Sequence, residues 1–407
     1  MNKKNVLLAF SILLLLALAC ANPLDAPAPN QPANVETIVA ATFSALTSVA
    51  PPSTPEVGNP SSDLLPRSML YLAYDNANIP QVFRLEKDGK TVTQLTFEPL
   101  EVKEFDVSQA DGSIVYLSNH QLFLVNADGT NRRMIYDAGP QDEVNPFMTR
   151  INSPVFSPDG QTIAFGHKGL NFYSPASGQS VRVLEDKVKD FGSGMFLPEE
   201  LYYPEIYSAD GSKLLLTLGY YEGASTGIYS VSNGSLTRLV NEFRGIVCCG
   251  DYSLSADGST LYSASPTFGM FSAGLWRVDT NTGNVTTVFL GDFESNPAEV
   301  ADNPFIAPDG QLYYFYASIP NAGDMINRPP LQLVRSAADG TTSRTVLRPE
   351  TFTYMTEALW APDASFVIIA NGDEQTYFGG KAELYYTDGQ KAMISLLPYA
   401  YSMKWAP

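Results

Sequence analysis

The pattern Gly223-Ala224-Ser225-Thr226-Gly227 has the spacing of a nucleophile elbow, in which a strained turn lifts a serine toward a histidine that follows it in the chain. Both histidines, His120 and His167, precede Ser225, so the order needed for that hydrolase chemistry fails, and the stretch reads as a loop between strands. Gly89-Lys90-Thr91 ends like a phosphate-binding loop, but Arg84 stands where the first glycine is required. Two histidines outside any ligand-spaced cluster do not make a zinc site, and no calcium-loop pattern is present, so neither metal nor cofactor is expected. With 43 acidic residues, pairs of carboxylates suited to glycoside chemistry arise without selection for it. No catalytic residue is therefore assigned, and the expectation is a protein that is not an enzyme. Cys248-Cys249 is the remaining reactive feature: a vicinal disulfide in an oxidising compartment, or two small residues facing opposite sides of a strand.

The formal net charge of -18 argues against a basic surface for nucleic acid or anionic lipid. It suits a soluble, self-repelling monomer. Hydrophobic content of 44 %, with 22 Tyr and 22 Phe, is ample for a large core. The N-terminus carries a short basic segment, Asn2-Lys3-Lys4, then an apolar run from Val6 to Ala19 too short to span a membrane comfortably. It ends Leu16-Ala17-Leu18-Ala19-Cys20, which resembles the lipobox of bacterial lipoproteins, with Ala17 where that pattern prefers Leu. The resemblance implies a signal peptide over 1–20, lipidation at Cys20 and a membrane anchor on the extracytoplasmic face of the cell envelope. Residues 21–66 are rich in Pro, Ala, Ser and Thr and read as a disordered tether. Within it, Val35, Ile38, Val39, Phe43 and Leu46 have the spacing of one short helix.

From 67 to 407 the text repeats. An apolar strand followed by Ser/Ala-x-Asp-Gly recurs at Asp111-Gly112, Asp159-Gly160, Asp210-Gly211, Asp257-Gly258 and Asp309-Gly310, with a decayed copy at Ala361-Pro362-Asp363-Ala364. The interval is roughly fifty residues and holds four short strands, which is the signature of a propeller blade. In the copy at Asp159, the strands are Val155-Phe156, Ile163 to Phe165, Leu170 to Tyr173 and Val181 to Leu184. The chain ends Lys404-Trp405-Ala406-Pro407, copying Leu359-Trp360-Ala361-Pro362 without the strands that should follow. Residues 68–96 supply them. The expectation is an all-β propeller of four-stranded antiparallel blades, closed by pairing the N- and C-terminal strands in one blade. Seven blades follow from the count, or six if one copy has been absorbed.

The repeats resemble those of TolB-like and WD-repeat-like β-propellers of bacterial envelopes, with the Ser/Ala-Pro/Ala-Asp-Gly phrase as signature. The matching residues are turn and core residues, so the resemblance speaks for fold. It implies a domain that binds a protein, a glycan or a small solute, or that serves as an interaction scaffold within an envelope complex.

Strand parity places every Asp-Gly turn on one face. The longer segments 137–151, 185–201, 219–226, 265–273, 290–302, 318–330 and 371–381 fall on the other. Irregular loops on a rigid scaffold are the usual seat of function. These carry Phe147, Phe196, Tyr220, Tyr221, Phe268, Phe271, Tyr377 and Phe378, the candidate ligand-binding residues, along with acids such as Asp142, Glu200 and Asp373. Aromatics beside acids suit sugar stacking, a cationic ligand or a protein partner.

Overall fold

The repeat phrase folds as a tight hairpin whose serine and aspartate are both turn fasteners. The computed structural model describes residues 63–239, 251–267, 273–292, 295–320 and 329–407. Cys20, Cys248, Cys249, Phe268, Phe271 and residues 21–62 of the expected tether lie outside the described residues, whereas its last residues, 63–66, are described and place Leu65 in the core with Met69 and Leu85. At Ser157-Pro158-Asp159-Gly160, the Ser157 hydroxyl donates to Asp159 at 2.6 Å and accepts the Thr162 N–H at 2.9 Å. Asp159 also accepts the Gln161 N–H at 3.0 Å. Gly160 closes the turn at φ 69°, a conformation glycine adopts without a Cβ penalty. Ser208-Asp210 and Ser255-Asp257 repeat the same bonds. These turns account for part of the acidic composition: the carboxylates are fasteners, and the bonds they accept hold Asp159, Asp210 and Asp257 below the usual aspartate range.

The turns join strands into antiparallel four-stranded sheets. Val102–Val107, Ile114–Ser118, Gln121–Val125 and Arg133–Asp137 pair in order. So do Asn152–Phe156, Ile163–Gly166, Gly169–Ser174 and Gln179–Glu185. Two further sheets follow the same plan at 251–291 and 298–352. The sheet that runs through Phe196–Tyr207 has a fifth strand, Lys187–Asp190, folded back as a hairpin. Strand 394–405 does double duty. It pairs with Gly380–Tyr386 as far as Ala400, then turns through Ser402 at φ 51° and pairs with Met69–Tyr74, matching Met69 to Trp405 and Leu70 to Lys404.

Successive sheets pack face to face. Among the described residues, seven apolar clusters do this. Leu72 and Val82 meet Tyr116, Leu117 meets Phe165, and Ala164 meets Leu216. Leu215 meets Trp276, Leu275 meets Tyr314, and Phe315 meets Ile369. Leu384 then meets Met69 and Leu85, from the other end of the chain. The architecture is that of a β-propeller.

Two expected loops are strands. Segment 219–226 belongs to Lys213–Tyr220 and Gly223–Ser230, joined by the two-residue turn Tyr221-Glu222 with Glu222 at φ 60°. Gly223 and Gly227 read as loop signals, yet Gly227 serves packing: a Cβ there would stand 2.9 Å from Leu236 Cδ1. The elbow-like Ser225 is therefore a buried strand residue whose hydroxyl donates to Leu239 O at 3.1 Å. Much of 185–201 is likewise the hairpin of Lys187–Asp190 and Phe196–Tyr207.

Candidate functional site: the long-loop face

Charge knots tie neighbouring strands together and recur from sheet to sheet. Glu98 accepts Arg132 Nε at 2.5 Å and the Tyr116 hydroxyl at 2.6 Å. Glu299 accepts the Tyr316 hydroxyl at 2.5 Å and Arg344 at 3.1 Å. Glu200 accepts Arg238 at 2.5 Å, Lys187 at 2.7 Å and the Tyr202 hydroxyl at 2.7 Å. Arg238, helped by Lys187 and Tyr202 against the cost of burial, pulls the Glu200 carboxyl down to about 2. Glu200 is thus a structural tie. Asp142 is a turn fastener, accepting the Val144 and Asn145 N–H groups, and Asp373 does the same for Gln375.

The candidate aromatics separate by environment. Tyr220 ends a strand, half-buried, with its hydroxyl 3.5 Å from Glu200, so the expectation of an exposed loop residue is corrected. Phe196 begins a strand, half-buried, its N–H donating to Asn145 at 3.3 Å. Tyr221 stands exposed at its turn. Phe147 lies in a 3-10 turn, Pro146–Met148, and lines a cavity of about 560 Å³. Tyr377 and Phe378 are 84 % and 57 % exposed, in the loop between Phe366–Asn371 and Gly380–Tyr386.

Phe378 belongs to a larger aromatic group. Its ring lies 5.5 Å from Tyr401, Tyr401 lies 5.9 Å from Tyr399, and Tyr399 lies 5.6 Å from Tyr74. Tyr74, Tyr399 and Tyr401 escape sequence reasoning because only the pairing of the two chain ends brings them together. Tyr377 also lines a second cavity of about 520 Å³, with Asp251, Asp302 and Phe352 in its wall.

The innermost strands carry ionisable groups. The Asp251 and Asp302 carboxyls hydrogen-bond to each other, and burial together with that contact raises Asp302 well above its usual range. Lys404 donates to Asp106 at 2.8 Å. Glu205 is pushed up to about 7 by burial, against a hydrogen bond from Thr217. Its ordinary value is 4.5, so the native state holds the proton more tightly than the unfolded chain does. The ionised carboxyl therefore weakens the fold. The penalty is absent below 4.5, grows as pH rises toward 7 and is complete above that. Glu205→Gln is expected to raise stability by about 2 kcal/mol at alkaline pH, a figure trimmed for partial access to water, and to change little in acid. Equal shifts in melting temperature at pH 4 and pH 8 would contradict this assignment.

His167 is buried, its Nδ1 paired with the Tyr136 hydroxyl at 2.7 Å, and burial pushes it down to about 4. Among the described residues no three His, Cys, Asp or Glu side chains converge on a metal position.

No known protein family matches the sequence, and no curated protein does. Solved structures do match in fold. One is an oligogalacturonate lyase in complex with manganese, with a TM-score of 0.53 and 12 % identity, covering 82 % of this chain and 86 % of that one. Another is an oligogalacturonate lyase from Vibrio parahaemolyticus, with a TM-score of 0.50 and 11 % identity over 81 % and 86 %. TolB from Acinetobacter baumannii also matches, with a TM-score of 0.44 and 14 % identity over 84 % and 67 %. At such identities the likeness to the two lyases speaks for the fold alone.

Proposed function

We propose that the chain is a non-catalytic binding module of the cell envelope, carried by the lipid expected on Cys20. In this reading the propeller is a closed ring of seven four-stranded blades. The support is the run of seven inter-sheet clusters and the pairing of Met69–Tyr74 with the end of strand 394–405. The ligand lies on the long-loop face. One observation carries that choice: Tyr377 and Phe378 are largely exposed beside Tyr399, Tyr401 and Tyr74. Exposed rings in a group bind planar apolar surfaces such as sugar faces. The cavities of about 560 and 520 Å³ on this face suit a glycan or solute better than a flat scaffold contact. Absence of catalysis rests on the use of Ser225, Glu98 and Glu200 in structural bonds.

The test is a scan of Phe147, Phe196, Tyr220, Tyr221, Phe268, Phe271, Tyr377 and Phe378 to alanine, read by glycan-array binding and melting temperature together. Tyr377→Ala and Phe378→Ala are expected to weaken binding by about tenfold each with little change in melting temperature. Tyr220→Ala is expected to lower the melting temperature, because its ring packs on the Leu216 cluster. Binding that survives the whole scan but is lost on Asn131→Ala or Asn284→Ala places the ligand on the turn face. There, a cavity of about 580 Å³ lined by Asp106, Glu205 and Lys404 would be the alternative seat.

A further inference from the structure

In a chain of formal charge -18, the cavity beside Phe147 collects nitrogen-bearing side chains, two of them cationic. Its wall includes Lys103, Arg150 and His120, with the rings of Phe147 and Tyr203 and one acid, Glu104. Glu104 is already engaged: it accepts the Ser153 N–H. Arg150 stands 3.9 Å from Glu104, too far for a close hydrogen-bonded pair, and its side chain is 57 % exposed. Lys103 is 51 % exposed, 3.2 Å from Glu101. Two cationic side chains thus keep donors available at the rim of a cavity that has an aromatic wall.

The wall is built before any ligand arrives. Asp142 accepts the N–H groups of Val144 and Asn145 at 2.9 and 2.8 Å, and its own N–H donates to Thr149 Oγ1 at 2.7 Å. This pins both ends of the turn that carries Phe147. Asn145 is buried, and its side chain reaches the next sheet, donating to Gly194 O at 3.2 Å and accepting the Phe196 N–H at 3.3 Å. His120 is fixed at φ 59° in the two-residue turn before Gln121–Val125, with Ala138 N donating to its carbonyl at 3.2 Å. A preformed wall spares a ligand the cost of ordering it.

We propose that this cavity binds a carboxylate-bearing sugar, a hexuronic acid unit of a polysaccharide, with the carboxylate on Arg150 and Lys103 and the ring face on Phe147. The inference rests on the long-loop face being the binding face. Guanidinium and ammonium donors form stronger bonds to a carboxylate than to a neutral hydroxyl. The apolar face of a pyranose stacks on an aromatic ring. A volume of about 560 Å³ falls in the range of small-ligand sites and accommodates more than one sugar ring.

The experiment is calorimetric titration of the full chain with cellotriuronate, the β-1,4 trimer of glucuronic acid, and with cellotriose, which carries a hydroxymethyl group in place of each carboxylate. Cellotriuronate is expected to bind at least about tenfold more tightly, and its affinity to fall as salt rises through physiological strength. Arg150→Ala and Lys103→Ala are each expected to cost about tenfold with the acid and nothing with the neutral trimer. Phe147→Ala is expected to weaken both. All three variants should melt like the parent. Equal affinity for the two trimers, no effect of Arg150→Ala, or no binding of cellotriuronate at all would each overturn the uronate assignment. The binding-face reading fails separately, if glycan-array binding is insensitive to Tyr377→Ala and Phe378→Ala.

Discussion

Deletion of Met403–Pro407 is expected to destabilise the domain by about 5 kcal/mol or more, from the loss of buried Met403 and half-buried Trp405 packing and of half-buried polar pairing together. The five residues close the sheet that joins the two chain ends. Met403 is 5 % exposed in the cluster shared with Met69, Leu85 and Leu384, and the Trp405 ring packs against it. The Trp405 indole N–H donates to Trp360 O at 2.7 Å, and the Trp405 carbonyl accepts Gln109 at 2.8 Å. Met403 N donates to Glu357 at 2.5 Å, and Ala406 N donates to Ser68 O at 2.9 Å. Loss of Lys404 also leaves Asp106 without its cation. The deletion exposes one edge of Met69–Tyr74, and an uncovered strand edge invites aggregation. A melting temperature lower by about 10 °C or more is the expected reading, since 1 kcal/mol moves a large domain by about 2–4 °C. A truncated protein that melts with the parent would contradict the closed ring.

Glu200→Ala is expected to cost about 3–5 kcal/mol, the usual range when one partner of a buried ion pair is removed. The Glu200 side chain is 6 % exposed, and its loss strands Arg238, Lys187 and the Tyr202 hydroxyl at once. The Arg238 side chain is 42 % exposed and can turn toward water, which favours the lower end of the range. The same pair sets a pH dependence of opposite sign to that of Glu205. With its folded pKa held at about 2, below the ordinary 4.5, Glu200 contributes stability that is complete above 4.5 and is lost as pH falls toward 2. Parent and Glu200→Ala melting curves should therefore converge in acid. A gap that stays constant from pH 7 to pH 2.5 would contradict the ion-pair account.

Local chemistry was readable in the sequence, and long-range assembly was readable only where the repeat exposed it. The Asp-Gly turns, their interval and the unfinished final copy at Trp405 are statements about neighbours in the chain, and they lead to the sheets and to the pairing of Met69 with Trp405. The serine two residues before Asp159 was visible as a pattern, but its role as both donor and acceptor emerged only with the turn in three dimensions. Gly227 misled because a glycine that permits close packing has the same letter as one that breaks a strand. The knots could not be read: Glu98 meets Tyr116 across 18 positions and Arg132 across 34, distances set by sheet geometry. The same holds for the cavity that gathers Lys103, His120, Arg150 and Tyr203, and for the rings of Tyr74 and Tyr399.

Hydroxyl-radical footprinting of the protein alone and with a glycan captured from the array tests the central claim, that ligand sits on the long-loop face. Protection is expected at Tyr377, Phe378, Tyr399 and Phe147, with no change at the turn that carries Pro158 or at the Ser208-Asp210 turn. Protection confined to those Asp-Gly turns, with Tyr377 and Phe378 still fully reactive, would contradict it.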